Sequence, residues 1–295
     1  MTQQPMRTPV LALIFSFLLM PSKALPQSDT SGTSLADTVK SVRSDHSFYA
    51  SAGYGSNMIY LGSTISQDQP YGYGALTYGY NDNLFLTLSA VHLHDQNPFI
   101  AFSSGSINYT HTFNSWFDIS ASLSGYLVAR SLADTLFGNF IYGDLTFGVD
   151  WRLLYTKISA GGLVMDGINP YLQLRNSRFF KTPEFSKKKL YFTFDPYINV
   201  MFGSLTKAET KDGTTVTISP PYRKKGKNPQ GSSSYTNYST VFGLMEIDFG
   251  LPVSFNAGRF TIETEPDYII PLYDGSEYQG MKGFVFQLSV YFRIF

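Results

Sequence analysis

From His46 to Phe295 the chain repeats one pattern: segments of about ten residues in which apolar and polar side chains alternate, separated by short turn clusters. Successive side chains of a strand point to opposite faces, so strict alternation demands a strand with one greasy face and one polar face. The final segment, GFVFQLSVYFRIF, is the clearest case. Phe284, Phe286, Leu288, Val290, Phe292 and Ile294 share one face, with Gly283, Val285, Gln287, Ser289, Tyr291, Arg293 and Phe295 on the other. The same division recurs upstream: Phe117, Ile119, Ala121 and Leu123 oppose Asp118, Ser120, Ser122 and Ser124. Ile141, Leu145, Phe147, Val149 and Trp151 oppose Tyr142, Asp144, Thr146, Asp150 and Arg152, and Phe192, Phe194, Ile198, Val200 and Phe202 oppose Thr193, Asp195, Tyr197 and Asn199. No run shows apolar residues at helical three- and four-residue spacing.

The segments predict strands at 46–65, 71–80, 84–94, 99–112, 115–129, 138–151, 153–164, 170–180, 190–204, 236–255, 258–271 and 282–295. About twelve is an even number, as a closed single-chain barrel requires, with a range of 8–14 set by where weak segments divide. The first is the weakest, because Gly53-Tyr54-Gly55-Ser56-Asn57 reads equally as a bulge or a turn. Connections are short at 81–83, 114–115 and 256–258, and long at 130–138, 205–235 and 273–280. Short turns at one end and long loops at the other describe an up-and-down antiparallel transmembrane barrel with its turns in the periplasm.

Composition separates a lipid-facing barrel from a soluble sandwich, which also alternates. Aromatic residues make up 16% and charged residues 15% of the chain, against roughly 25% charged in ordinary soluble domains. The charges of the alternating segments fall on the polar face. Asp118, Asp144, Asp150, Glu246, Asp248, Glu263 and Glu265 share it with Arg152, Lys157, Arg175 and Arg293. A lumen accommodates both signs, whereas an Arg or Lys at the bilayer midplane costs about 2–4 kcal/mol. Trp116, Trp151, Tyr171 and Tyr191, near strand ends, suit interfacial girdles. The soluble alternative is a secreted β-sandwich that binds a ligand, its Phe-rich faces packed together.

Ahead of the strands, one Arg at position 7, an apolar run from Val10 to Met20 and Ser22-Lys23-Ala24 predict a signal peptide over residues 1–24. The run is shorter than the roughly 20 residues a spanning helix needs. Residues 25–45 are polar and read as a flexible periplasmic lead-in. The chain has no Cys, which excludes disulfides and thiolate chemistry, and 22 basic against 22 acidic residues give no field that recruits nucleic acid. No phosphate-binding glycine loop is present.

The mature chain resembles the small outer-membrane β-barrels of Gram-negative bacteria, in stretches such as YGSNMIYLGS and FGLPVSFNAGRFTIETEPDYIIP and in its final aromatic residue. The resemblance implies outer-membrane residence and recognition of Phe295 as a C-terminal signal by barrel-assembly machinery. In that signal the alternating residues are in phase with the last Phe; here they are not. The strand is therefore expected to bulge or fray after Phe292, so that the ring turns to the periplasmic interface.

Three features bear on chemistry. His92, His94 and Asp95 could form a metal site or the acid/base part of a rim hydrolase. However, Leu84, Leu86, Leu88 and Ala90 share the face of the two imidazoles, which favours a rim position on the lipid side. Ser103 and His111 lie roughly 26 Å apart on one strand and cannot meet. The basic run Arg223, Lys224, Lys225 and Lys227 falls in a loop suited to anionic lipopolysaccharide. The expectation is a non-enzymatic barrel without cofactor, either a narrow passive channel for small solutes or a structural or accessory barrel. Its competitor is a barrel enzyme acting on lipid or peptide at the extracellular rim.

Overall fold

The structure, a computed structural model, describes residues 45–60, 63–64, 66, 69–133, 138–165, 167–185, 190–210, 215–218, 235–272 and 282–295. The expected signal peptide, most of the lead-in and the basic run of the long loop lie outside these residues.

The chain forms one closed antiparallel barrel of 12 strands. They are β1 (His46–Gly55), β2 (Tyr71–Tyr80), β3 (Leu84–Leu93), β4 (Phe102–Asn114), β5 (Phe117–Val128), β6 (Phe140–Asp150), β7 (Tyr155–Val164), β8 (Ile168–Ser177), β9 (Tyr197–Thr210), β10 (Tyr235–Gly250), β11 (Phe260–Pro271) and β12 (Gly283–Arg293). Each pairs with its chain neighbours, and β12 closes the ring on β1 with Ser51 opposite Tyr291 and Gly53 opposite Ser289. A single sheet closed on itself replaces the sandwich alternative, since the other sheet among the described residues has only two short strands.

The alternation assigns the faces. Residues directly opposite on paired strands share a face, so the outward β12 set carries Ala50 and Phe48 of β1 outward with it. Phe284 is 74% exposed, Leu88 69% and Leu127 66%, each flanked by inward-facing neighbours. Trp116 and Trp151 lie exposed at the turns after β4 and β6. Tyr171 and Tyr191 correct the expected girdle: Tyr171 is buried in the lumen against Tyr142, and Tyr191 follows the inward phase of Thr193. Aromatic residues serve both surfaces of this barrel, so residue type alone did not mark an interface.

Boundaries differ at three places. The expected first strand, 46–65, stops at Gly55, and Ile59–Tyr60 pairs with Ser63–Thr64 as a separate hairpin. Met58 and Ile59 of that segment are buried, Ile59 against Ile269 and Val285 on the inner wall. The expected 205–235 connection is shorter, because the β9–β10 ladder continues to Thr210 opposite Tyr235. Prolines break two strands near the end of the barrel that carries the short turns, where Pro196 separates Tyr191–Phe194 from β9 and Pro252 separates β10 from Val253–Ala257. A proline cannot donate to the ladder. The carbonyls of Pro196, Pro252 and Pro266 instead accept from Arg178, Asp195 and Leu251, each at 3.1 Å. The result is a crease across neighbouring strands, with β11 pairing to Val253–Ala257 below it and to β10 above it.

At the C-terminus the ladder ends at Arg293, and the Phe295 ring stacks on outward-facing Phe48 with centroids 5.9 Å apart. The last ring thus leaves the lumen phase that unbroken alternation would give it.

Candidate functional site

Inside, the barrel divides into two layers. Toward the ends of the strands that carry the long loops, the inward positions are apolar: Val91 and Leu93 of β3, Phe102 of β4, Tyr126 of β5, Phe140 of β6 and Leu163 of β7 form one buried cluster. Met58 and Leu132, from the connections above, complete the packing. Burial of each large side chain stabilises by roughly 1.5–3 kcal/mol, so this layer is a core and not a lining.

Below and beside it lies a wall of carboxylates on β10 and β11, with Asp195 just ahead of β9. Alternation puts Glu263, Glu265 and Asp267 of β11 on the inner face, opposite Ser254, Gln287 and Gly250. Ser254 donates to Glu263 at 2.6 Å, and the Tyr197 hydroxyl lies 3.1 Å from Glu265 and 3.0 Å from Asp267. Gly250 makes that meeting possible, because a Cβ there would collide with the Tyr197 ring and the Asp267 carboxylate. Across the wall, Arg175 of β8 stacks its guanidinium 3.6 Å above the Tyr197 ring and pairs with Asp195 at 3.7 Å. The crease at Pro196 puts Asp195 between two strand segments, where its backbone N–H goes to Pro252.

Higher on the same wall, Asn199 of β9 faces Asp248 of β10 and donates to it through Nδ2 at 2.5 Å. Glu246 comes inside through a bulge. Met201 pairs with Glu246 and Phe202 with Leu244, leaving Met245 as the extra residue. Met245 and Glu246 are consequently both buried, and Glu246 lies beside Met201 and Met245 at the edge of the apolar layer. Both carboxylate oxygens of Glu246, Oδ1 of Asp248, Oδ1 of Asn199 and Oδ1 of Asp195 are buried without a hydrogen-bond partner.

The remaining sequence-picked residues are dispersed. Asp118 accepts from the Tyr155 hydroxyl at 2.6 Å, and Asp144 accepts from Ser122 and Thr146. Lys157 lies 5.4 Å from the Tyr155 ring and Arg293 6.0 Å from the Tyr49 ring. Arg152 differs from the expectation that placed it on the lumen wall. It occupies the β6–β7 turn at φ 66°, where Asp150 caps its backbone N–H at 2.6 Å. Arg152 is therefore past the end of the ladder, while Asp150 keeps its register opposite Tyr155.

The histidines are each engaged separately. His92 stacks on Phe99 with centroids 4.4 Å apart and lies 2.7 Å from the Phe99 carbonyl, while His94 pairs with Asp95 at 3.5 Å in an exposed position. His111 stacks on Tyr109 and meets Phe113 edge-on, and His46 bonds the Tyr78 hydroxyl at 2.6 Å. Among the described residues, no three of His, Cys, Asp and Glu gather as a metal cluster.

Sequence reasoning had found Glu246, Asp248, Glu263 and Glu265, and had noted Arg175. It left Asp267 out of the candidate set, although ETEPD puts it in phase with the two glutamates. It read Asp195 and Asn199 as polar-face residues without assigning them a site. What links Asn199 to Asp248 is a pairing between strands separated by a long loop, which local patterning does not carry.

No family model matches the chain, and no curated protein matches it. Among solved structures, LpxR from Salmonella typhimurium is similar with a TM-score of 0.49 and 9% identity, covering 83% of this chain and 99% of its own. The NanC porin follows at 0.43 and 7%, covering 83% and 98%, and a bacterial polysaccharide outer membrane secretin at 0.41 and 9%, covering 85% and 98%.

Proposed function

We propose that the protein is a non-enzymatic outer-membrane β-barrel with a structural or accessory role, its lumen packed shut at the extracellular end. The observation that carries this reading is the buried apolar layer built from β3 to β7 and capped by Met58 and Leu132. A water path would have to break that layer. In planar bilayers the refolded chain is expected to give no steady conductance; sustained single-channel steps would overturn the closed reading. The acidic wall favours a second reading, a narrow cation-preferring channel for small solutes. In that case Asp144→Asn and Asp150→Asn would alter ion preference.

The exposed apolar band supports residence in the outer membrane, which the resemblance drawn from sequence also implies, in contact with lipid and lipopolysaccharide. Export would follow cleavage after Ala24, and Phe295 would serve barrel-assembly machinery as its C-terminal tag. Its ring is exposed and stacks on Phe48, while its carbonyl accepts from the Phe48 N–H at 3.3 Å, so the side chain is presented at the rim where a recognition residue would be read. Deleting Phe295 is expected to lower the heat-modifiable, membrane-inserted fraction in cells while leaving refolding in detergent intact. Equal loss in both settings would make Phe295 a packing residue instead.

A further inference from the structure

We propose that Asn199, Glu246 and Asp248 hold a structural calcium ion that ties β9 to β10 beneath the apolar layer. All three side chains are fully buried, and four of their oxygens lack any partner: both of Glu246, Oδ1 of Asp248 and Oδ1 of Asn199. A buried polar atom without a partner forfeits its hydration, and the loss is larger for a charged group. A neutral amide oxygen left in the same condition as the carboxylates points to a ligand and not merely to crowded acids. Asn199 already spends Nδ2 on Asp248, which leaves Oδ1 as an acceptor with nothing to accept.

The chemistry of the set selects the ion. The donors are oxygen only, with two carboxylates contributing two negative charges. Calcium takes six to eight oxygens in flexible geometry, with carboxylates in either binding mode, whereas magnesium demands a near-ideal octahedron. Three side chains on two strands, one displaced by a bulge, would supply four oxygens in an irregular arrangement that calcium tolerates better than magnesium. The bulge at Met245 explains how the site arises, since regular alternation from Phe242 would have turned Glu246 outward.

The inference deepens the reading of a packed, structural lumen and is tested apart from it. The full chain, refolded in lipopolysaccharide-free detergent and shown to be heat-modifiable, is titrated with calcium chloride by calorimetry and melted in calcium or in EGTA. One ion per chain and a higher melting temperature in calcium are expected. Affinity should fall by at least about tenfold in Glu246→Gln and in Asp248→Asn, since each removes a charged ligand. Glu184→Gln, on the rim beside Lys181, should bind as the parent does. A folded parent that takes up no calcium, a Glu246→Gln chain that binds unchanged, or magnesium bound as well as calcium would each overturn the site. Conductance on the same preparation reads the other proposal: a conducting barrel that binds calcium overturns only the closed lumen, and a silent one that does not overturns only the ion.

Discussion

Replacing Arg175 by methionine is expected to destabilise the barrel by about 1–3 kcal/mol, less than the roughly 3–5 kcal/mol of a fully buried pair, because Arg175 is buried while its partner Asp195 is 34% exposed and partly solvated. The guanidinium is 3.7 Å from Asp195 and stacked 3.6 Å over the Tyr197 ring, beside a wall that also carries Glu263, Glu265 and Asp267. Methionine preserves much of the side-chain volume, so a cavity contributes little and the loss reports charge. The two parts of the interaction separate by substitution. Lysine keeps the charge but not the planar stack, and should recover part of the stability. Asp195→Asn in the methionine background should be milder than the sum of the single changes, since the stranded carboxylate is then gone. Urea unfolding of the barrel in detergent micelles measures all four chains. A methionine variant within about 0.5 kcal/mol of the parent, the range of an ordinary surface change, would show that the wall does not depend on Arg175.

The features legible in the sequence are those set by period two. Alternation set which face of each segment points out of the barrel, and turn spacing gave the strand number and the end at which the short turns lie. What escaped depends on pairing between distant segments or on departures from the period. The apolar layer is one example: Val91, Leu93, Phe102 and Leu163 follow the inward phase, so nothing local distinguishes a plugged lumen from a lined one. Glu246 is another. Counting by twos from Phe242 and Leu244 carries it to the outer face, and the bulge at Met245 is what turns it inward. Its charge argued for the lumen, yet the means by which the backbone achieves this is visible only in the β9–β10 register. Arg152 errs the other way, because its parity matched the lumen set while the strand had already ended in a turn.

Whether the alternating exterior meets lipid or water is decided by an arginine placed at Leu88. This residue is midway along β3 and 69% exposed, between Thr87 and Ser89, whose hydroxyls pair inward with Thr77 at 2.9 Å and Ser104 at 2.6 Å. In water, Leu88→Arg would be an ordinary surface change worth about 0.5 kcal/mol or less in either direction. At the centre of a bilayer the same guanidinium costs about 2–4 kcal/mol, falling to about 0–1 kcal/mol near the interface. Folding into phospholipid vesicles is therefore expected to weaken by the larger amount for Leu88→Arg and by much less for Leu84→Arg, at the periplasmic end of the same strand and face. The gradient matters more than either value, since only a medium with depth produces one. An inward control, Ser89→Thr, should stay close to the parent, because its hydroxyl keeps the inward hydrogen bond. Equal, small effects at positions 84 and 88 would mean that the exterior is solvated, and the membrane reading would fail with it.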